Sequence, residues 1–186
     1  MKLTQQQIAA VLEAVAEILE IKGANPFKVR AYKNAARVVD ALADDLEQLI
    51  SKGTLINIKG IGKNLAAHIV ELAQTGKLKE YEELKKSIPA GLLEITKIQG
   101  VGAKKVAVLW RQLKVTSVEK LEKVCKAGKV ASLTGFGEKS QEKILQGIAN
   151  LKQFSGRTLY PLAYEVAKEI LTELSSCPAL IRLELA

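Results

Sequence analysis

Cysteine is scarce in this 186-residue chain, with Cys125 and Cys177 far apart and no Cys-x-x-Cys. That spacing excludes a disulfide framework or a cysteine zinc site and predicts reduced thiols used for packing. A single histidine, His68, cannot build a metal centre alone. Aromatic residues make up 4% of the chain, too few for an extended stacking surface. No stretch approaches the ~18 continuous apolar residues of a membrane span. The opening MKLTQQQIAA also lacks an apolar run ahead of a small-residue cleavage site. The expectation is therefore a soluble, cytoplasmic chain with no membrane partner.

Acidic residues are the minority charge, 20 against 28 lysines and arginines, for a net charge of +8. This balance favours an anionic partner, nucleic acid ahead of a membrane surface, although a lysine-rich coat that only aids solvation gives the same count. Period-two alternation is nearly absent, and the chain reads as all-α. Thr4 with Gln7 has capping-box spacing, and Ile8, Val11, Leu12, Val15 and Leu19 then repeat at helical intervals until Gly23. Asn25 followed by Pro26 predicts an N-cap with proline at the first helical position. On that second helix Val29, Tyr32, Ala36 and Val39 share a stripe, and Lys28, Arg30, Lys33 and Arg37 cover the rest. Thr116 with Glu119 predicts another cap, for a helix closed by Gly128. Asp44 and Asp45, the only adjacent aspartates, stand where a helix starts. Only ALIRLELA at the end alternates, which predicts a half-buried strand whose neighbour belongs to a domain not present here.

Three stretches share one form: IKGIGKNLAAHI, ITKIQGVGAKKVAVL and ASLTGFGEKSQEKIL. Each has an apolar residue two before a Gly-x-Gly, another between the glycines, then lysine and an apolar helical face. The glycine pairs are Gly60 and Gly62, Gly100 and Gly102, and Gly135 and Gly137, the first glycines falling 40 and then 35 residues apart. One copy signifies little, since glycine commonly closes a helix; three copies point to a repeated turn between helices. A dinucleotide fingerprint is excluded, because a third glycine and a preceding strand are missing. Two glycines permit a tight bend and a close approach, and the free N–H groups opening the next helix suit an anion. Lys63, Lys104, Lys105 and Lys139 add full charges beside them. Several such sites suit the regularly spaced phosphates of a nucleic acid, held without sequence readout. With few aromatics, duplex backbone or a DNA end fits better than a long single strand.

These units resemble helix-hairpin-helix motifs, and their order resembles the N-terminal half of a bacterial family X DNA polymerase, kin of DNA polymerase beta. VRAYKNAARVV, AQTGKL, TKIQGVGAKKVAVLW and GRTLYPLAYEVAKEIL carry the likeness over essentially the whole chain. The resemblance implies an N-terminal DNA-end-binding domain over residues 1–88 and a second, thumb-like helical domain over residues 89–155. Residues 156–186 would be a connecting helix and the first strand of an absent palm domain, the place of the magnesium-binding aspartates. It implies that Lys28 and Tyr32 hold the 5′ phosphate of gapped or nicked DNA in gap-filling repair, with Lys33, Lys59 and Lys63 beside them, and that the protein is monomeric. It also implies a monovalent cation, sodium or potassium, on the main-chain carbonyls of Ile56, Ile58 and Ile61 and of Thr96, Ile98 and Val101. Some such enzymes also cleave a 5′ deoxyribose phosphate through a lysine Schiff base. Here His68 stands at that lysine's position and Asn64 at a neighbouring one, and imidazole cannot form the iminium. A lyase using another amine, or a protein-interaction module, are the alternatives to a DNA-binding polymerase portion.

Overall fold

Helix-starting and helix-stopping chemistry divides the chain much as its sequence suggests. The computed structural model describes residues 3–42 and 45–154; ALIRLELA, Cys177 and GRTLYPLAYEVAKEIL lie outside the described residues. The order is α1 (Gln5–Lys22), α2 (Pro26–Asp40), α3 (Leu46–Ser51), a 3₁₀ turn (Leu55–Asn57), α4 (Lys63–Thr75), α5 (Lys79–Lys86), α6 (Gly91–Ile95), α7 (Ala103–Leu113), α8 (Val118–Lys126) and α9 (Glu138–Phe154). The fold is all-α, and no strand occurs among the described residues.

Thr4 accepts from the Gln7 N–H while the Gln7 side chain accepts from the Thr4 N–H, the reciprocal cap that the spacing predicts. Gly23 ends α1 with φ 73°, and Gly76 ends α4 with φ 70°. Asn25 Oδ1 accepts from the Phe27 N–H at 2.9 Å, with Pro26 in the first turn of α2. Asp45 likewise caps α3 through the Glu47 N–H. One cap is displaced: α8 is capped by Ser117, not Thr116, because the Ser117 hydroxyl accepts from the Lys120 N–H.

Packing then follows the apolar stripes. Ile8, Leu12, Val15, Leu19, Val29, Tyr32, Ala36, Val39, Leu65, Ile69 and Leu72 join one core that holds α1, α2 and α4 together. Each leucine, isoleucine or valine among them contributes ~1.5–3 kcal/mol when fully removed from water. In the second half Leu92, Ile95, Ile98, Val101, Val106, Leu109, Leu121 and Val130 are buried. Cys125 is buried there as well, and burial pushes its thiol up to about 11, so it packs as a small apolar group. Arg111 of α7 donates through Nη2 to the Lys22 carbonyl at 2.9 Å, satisfying an orphan oxygen at the end of α1. Gly91 is needed for contact: a Cβ there would press on the Thr116 backbone oxygen and Ser117 Cα, so the two backbones approach closely at this point.

Residues 1–147 form one compact unit and residues 148–186 a second, of which the described part continues α9. Among the described residues no helix is long and apolar enough to cross a membrane.

Candidate nucleic-acid interface

The three glycine units adopt the same hydrogen-bonded turn. The N–H between the glycines donates three residues back: Ile61 to Ile58 at 3.0 Å, Val101 to Ile98 at 2.9 Å and Phe136 to Leu133 at 3.0 Å. Ile58, Ile98 and Leu133 in turn donate to Leu55, Ile95 and Val130. The second glycine's carbonyl then accepts the first bond of the next helix, from Ala66, Val106 and Gln141. The first glycine is left-handed in every copy, with φ 100°, 83° and 83° at Gly60, Gly100 and Gly135.

At the second glycine the backbone makes no such demand. Gly62 has φ −82° and ψ 170°, Gly102 has φ −78° and ψ 172°, and a Cβ at either would meet nothing within 4 Å. Any residue adopts that conformation, so the fold alone does not call for glycine there. Gly135 and Gly137 are open in the same way, whereas a Cβ at Gly60 would collide with the Asn34 side chain on α2. Gly62 and Gly102 open α4 and α7, and no side chain caps either helix, which leaves the leading N–H groups of each available to an anion.

The first unit faces a cavity of about 720 Å³ in which α2, α4 and α5 place Lys28, Tyr32, Gly62, Lys63, His68 and Glu80. Lys28 and Tyr32 stand four residues apart and so share a face of α2. Tyr32 is 3% exposed, its ring in the core and its hydroxyl at the cavity. Its Oη donates to Glu80 Oε2 at 2.6 Å and lies 2.9 Å from His68 Nδ1, while the two rings stack with centroids 6.0 Å apart. Lys28 Nζ donates to Glu80 Oε1 at 2.7 Å, and His68 Nε2 is 3.5 Å from Glu80 Oε2. Burial would push the Glu80 carboxyl up, but the hydrogen bonds from Lys28 and Tyr32, with the charges of Lys28 and His68, outweigh it and hold the carboxyl below the ordinary glutamate range. Burial, then the bond to Glu80 and its charge, raise the Tyr32 phenol well above its usual value. Glu80 is itself placed by the α4–α5 turn, where Leu78 is buried and the Lys79 N–H donates to Glu71 Oε1 at 2.9 Å.

The other expected DNA contacts are distributed elsewhere. Lys33 turns toward α1, where its Nζ meets Glu20 at 2.7 Å. It shares a cavity of about 400 Å³ with Gly100, Gly102, Lys104 and Lys105, and also with Glu13, Glu17 and Glu20. Burial and the neighbouring Glu13 and Glu20 push the Glu17 carboxyl up, against the pull of Lys33 and a hydrogen bond with Thr96. Lys105 folds back onto its own turn, donating to the Gly100 carbonyl at 2.8 Å with its ammonium 5.7 Å from the centre of the Phe136 ring. Lys104 also lines a neighbouring basic cavity of about 530 Å³ with Arg30, Lys33 and Arg37. Lys59, Lys63 and Lys139 are exposed. Asp44 lies outside the described residues, and Asp45 is occupied as the α3 cap.

For the cation, the residues supply neutral carbonyl oxygens of the kind that suits sodium or potassium. Ile58 and Ile98 each give one lone pair to the turn hydrogen bond and keep the other. Among the described residues no cluster of three His, Cys, Asp or Glu side chains offers a divalent site.

Glu80 is the one charged member of the first cavity that sequence reasoning missed. It lies 52 residues from Lys28, and nothing in the local pattern ties an acidic residue in the first turn of α5 to α2.

Comparison with known proteins accords with this geometry. Residues 4–78 match the helix-hairpin-helix domain, and residues 92–150 match the SAM-like helix-hairpin-helix tandem. The chain is also 37% identical over 178 residues, 96% of its length, to the Bacillus subtilis (strain 168) protein named DNA polymerase/3′-5′ exonuclease PolX. The chain corresponds to the N-terminal portion of a family X DNA polymerase. It spans 31% of the length of that relative. The two matched helix-hairpin-helix regions contain all three glycine turns, Gly60 in the first and Gly100 and Gly135 in the second.

Proposed function

We propose that this chain is the DNA-gripping portion of a cytoplasmic family X polymerase that acts in gap-filling repair. It holds gapped or nicked duplex, as a monomer, by phosphate contacts that carry no sequence information. In this reading residues 1–88 receive the DNA end and residues 89–155 hold the neighbouring duplex, with a monovalent cation at the first two turns. Magnesium-dependent nucleotide transfer belongs to a palm domain joined through residues 156–186.

The observation that carries the reading is the convergence of Lys28, Tyr32 and Lys63 with the uncapped start of α4 around one cavity. A 5′ phosphate there would take backbone N–H donors along the helix dipole and two ammonium charges, each contact charge-assisted. The test is binding to a one-nucleotide gapped duplex bearing either a 5′ phosphate or a 5′ hydroxyl at the gap. Wild type should prefer the phosphate by roughly tenfold, about one charge-assisted contact. Lys63→Ala should remove most of that preference, and an unchanged preference in Lys63→Ala would sink the reading.

A second reading, 5′-deoxyribose-phosphate lyase, is favoured by one observation: Lys63 lies in the same cavity as His68, where an amine rather than the imidazole would attack. Borohydride trapping on an abasic 5′ end decides it, and absence of a covalent adduct removes it.

A further inference from the structure

We propose that Glu80 is a built-in anion that occupies the phosphate grip of the free protein and sets how strongly a 5′ phosphate is preferred over a 5′ hydroxyl; this rests on the phosphate reading of the cavity. Both donors that α2 offers are already engaged. The Lys28 ammonium gives one of its three N–H bonds, and much of its charge, to Glu80 Oε1 at 2.7 Å, and the only proton of the Tyr32 hydroxyl goes to Glu80 Oε2 at 2.6 Å. Lys63, by contrast, has no carboxylate partner among the described residues and is exposed beside the open start of α4.

An arriving phosphate therefore meets two kinds of donor. Lys63 and the helix N–H groups are ready, and cost only their own hydration. Lys28 must share its charge with a carboxylate in the same cavity and the Tyr32 proton must be taken from it, and two anions on one set of donors repel. When a phosphate displaces Glu80, the Tyr32 hydroxyl exchanges a charged acceptor for another acceptor, with His68 Nδ1 also 2.9 Å away. A phosphate oxygen supplies that acceptor, and a hydroxyl end supplies it poorly. The carboxylate thus keeps the grip assembled while empty and weakens what a phosphate gains on entry. The charge of Glu80 holds that gain down.

The experiment uses the full chain and the same pair of gapped duplexes, with thermal unfolding recorded for every variant. Glu80→Gln keeps the shape and one acceptor oxygen, replaces the other with an N–H donor, and removes the charge. It should raise the ratio of 5′-phosphate to 5′-hydroxyl affinity by about threefold to tenfold, the scale of one partly exposed charge-assisted bond. Glu83→Gln, at an exposed carboxylate one turn from the cavity wall, should tighten both duplexes alike and leave the ratio near that of wild type. Glu80→Ala is the second variant, and a raised ratio there would support the proposal even if the glutamine variant folds poorly. Equal tightening of both duplexes by Glu80→Gln means that only bulk charge changed, and overturns the idea. A lowered ratio would mean that Glu80 positions Lys28 for the phosphate, and overturns it too. Absence of any phosphate preference in wild type and in every variant would instead remove the phosphate reading of the cavity, and this proposal with it.

Discussion

Glu80 meets Lys28, Tyr32 and His68 at one point, and its ionisation is therefore linked to folding. Its carboxyl is held below the ordinary range in the folded state. The stabilisation from its charge is consequently complete above the unfolded-state pKa of about 4.3 and is lost as pH falls through the lower folded value. Urea denaturation of wild type and Glu80→Gln should show the contribution of the carboxylate charge in place at about pH 5 and fading at lower pH. Below about pH 4.5 the wild type should lose stability relative to the variant. Curves that stay parallel down to pH 3 would contradict the assigned partners. The members of this cavity were unequally legible. Lys28 and Tyr32 stand four apart on a helix whose stripe is plain in the sequence, and Lys63 follows a repeated glycine turn. Glu80 was hidden because its meaning comes from the packing of α5 beside α2, which no local pattern encodes.

Helix ends were the most legible elements, because capping is short-range chemistry. Thr4, Gly23, Asn25 and Gly76 do what their residue types imply, and the cap of α8 lies one residue later than Thr116 because it is the Ser117 hydroxyl that accepts from a first-turn N–H, that of Lys120. The glycine turns were legible as a repeat, but the separate duties of their two glycines were not. Gly60 satisfies the fold, through φ 100° and contact with Asn34; Gly62 and Gly102 leave open space and an ordinary extended backbone. Substitution separates these duties. Gly60→Ala should destabilise the chain by ~1–3 kcal/mol through strain and collision. Gly62→Ala and Gly102→Ala should leave the unfolding midpoint unchanged or raise stability by ~0.4–1 kcal/mol. Both should nevertheless weaken gapped-DNA binding, since a methyl group then stands where the phosphate approaches. Loss of stability without loss of affinity at Gly62 would reverse the assignment.

For the whole molecule, a net charge of +8 says little about where the charge lies. Glu13, Glu17 and Glu20 face the second glycine turn across a cavity, while Arg30, Lys33, Arg37 and Lys104 line a basic one nearby. The acidic residues recur along one side of α1, yet only the packing of α7 against α1 brings them to the turn. A grip distributed over three turns has a collective signature, the release of counterions from every neutralised phosphate. The most direct measurement is the salt dependence of affinity for a gapped duplex, in wild type and in Lys63→Ala, Lys104→Ala and Lys139→Ala. The slope of log affinity against log salt should be steep in wild type, and each substitution should make it shallower by about 0.9, the share of one duplex phosphate. A flat wild-type slope, or slopes unmoved by all three substitutions, would contradict the claim that these turns hold DNA by its phosphates.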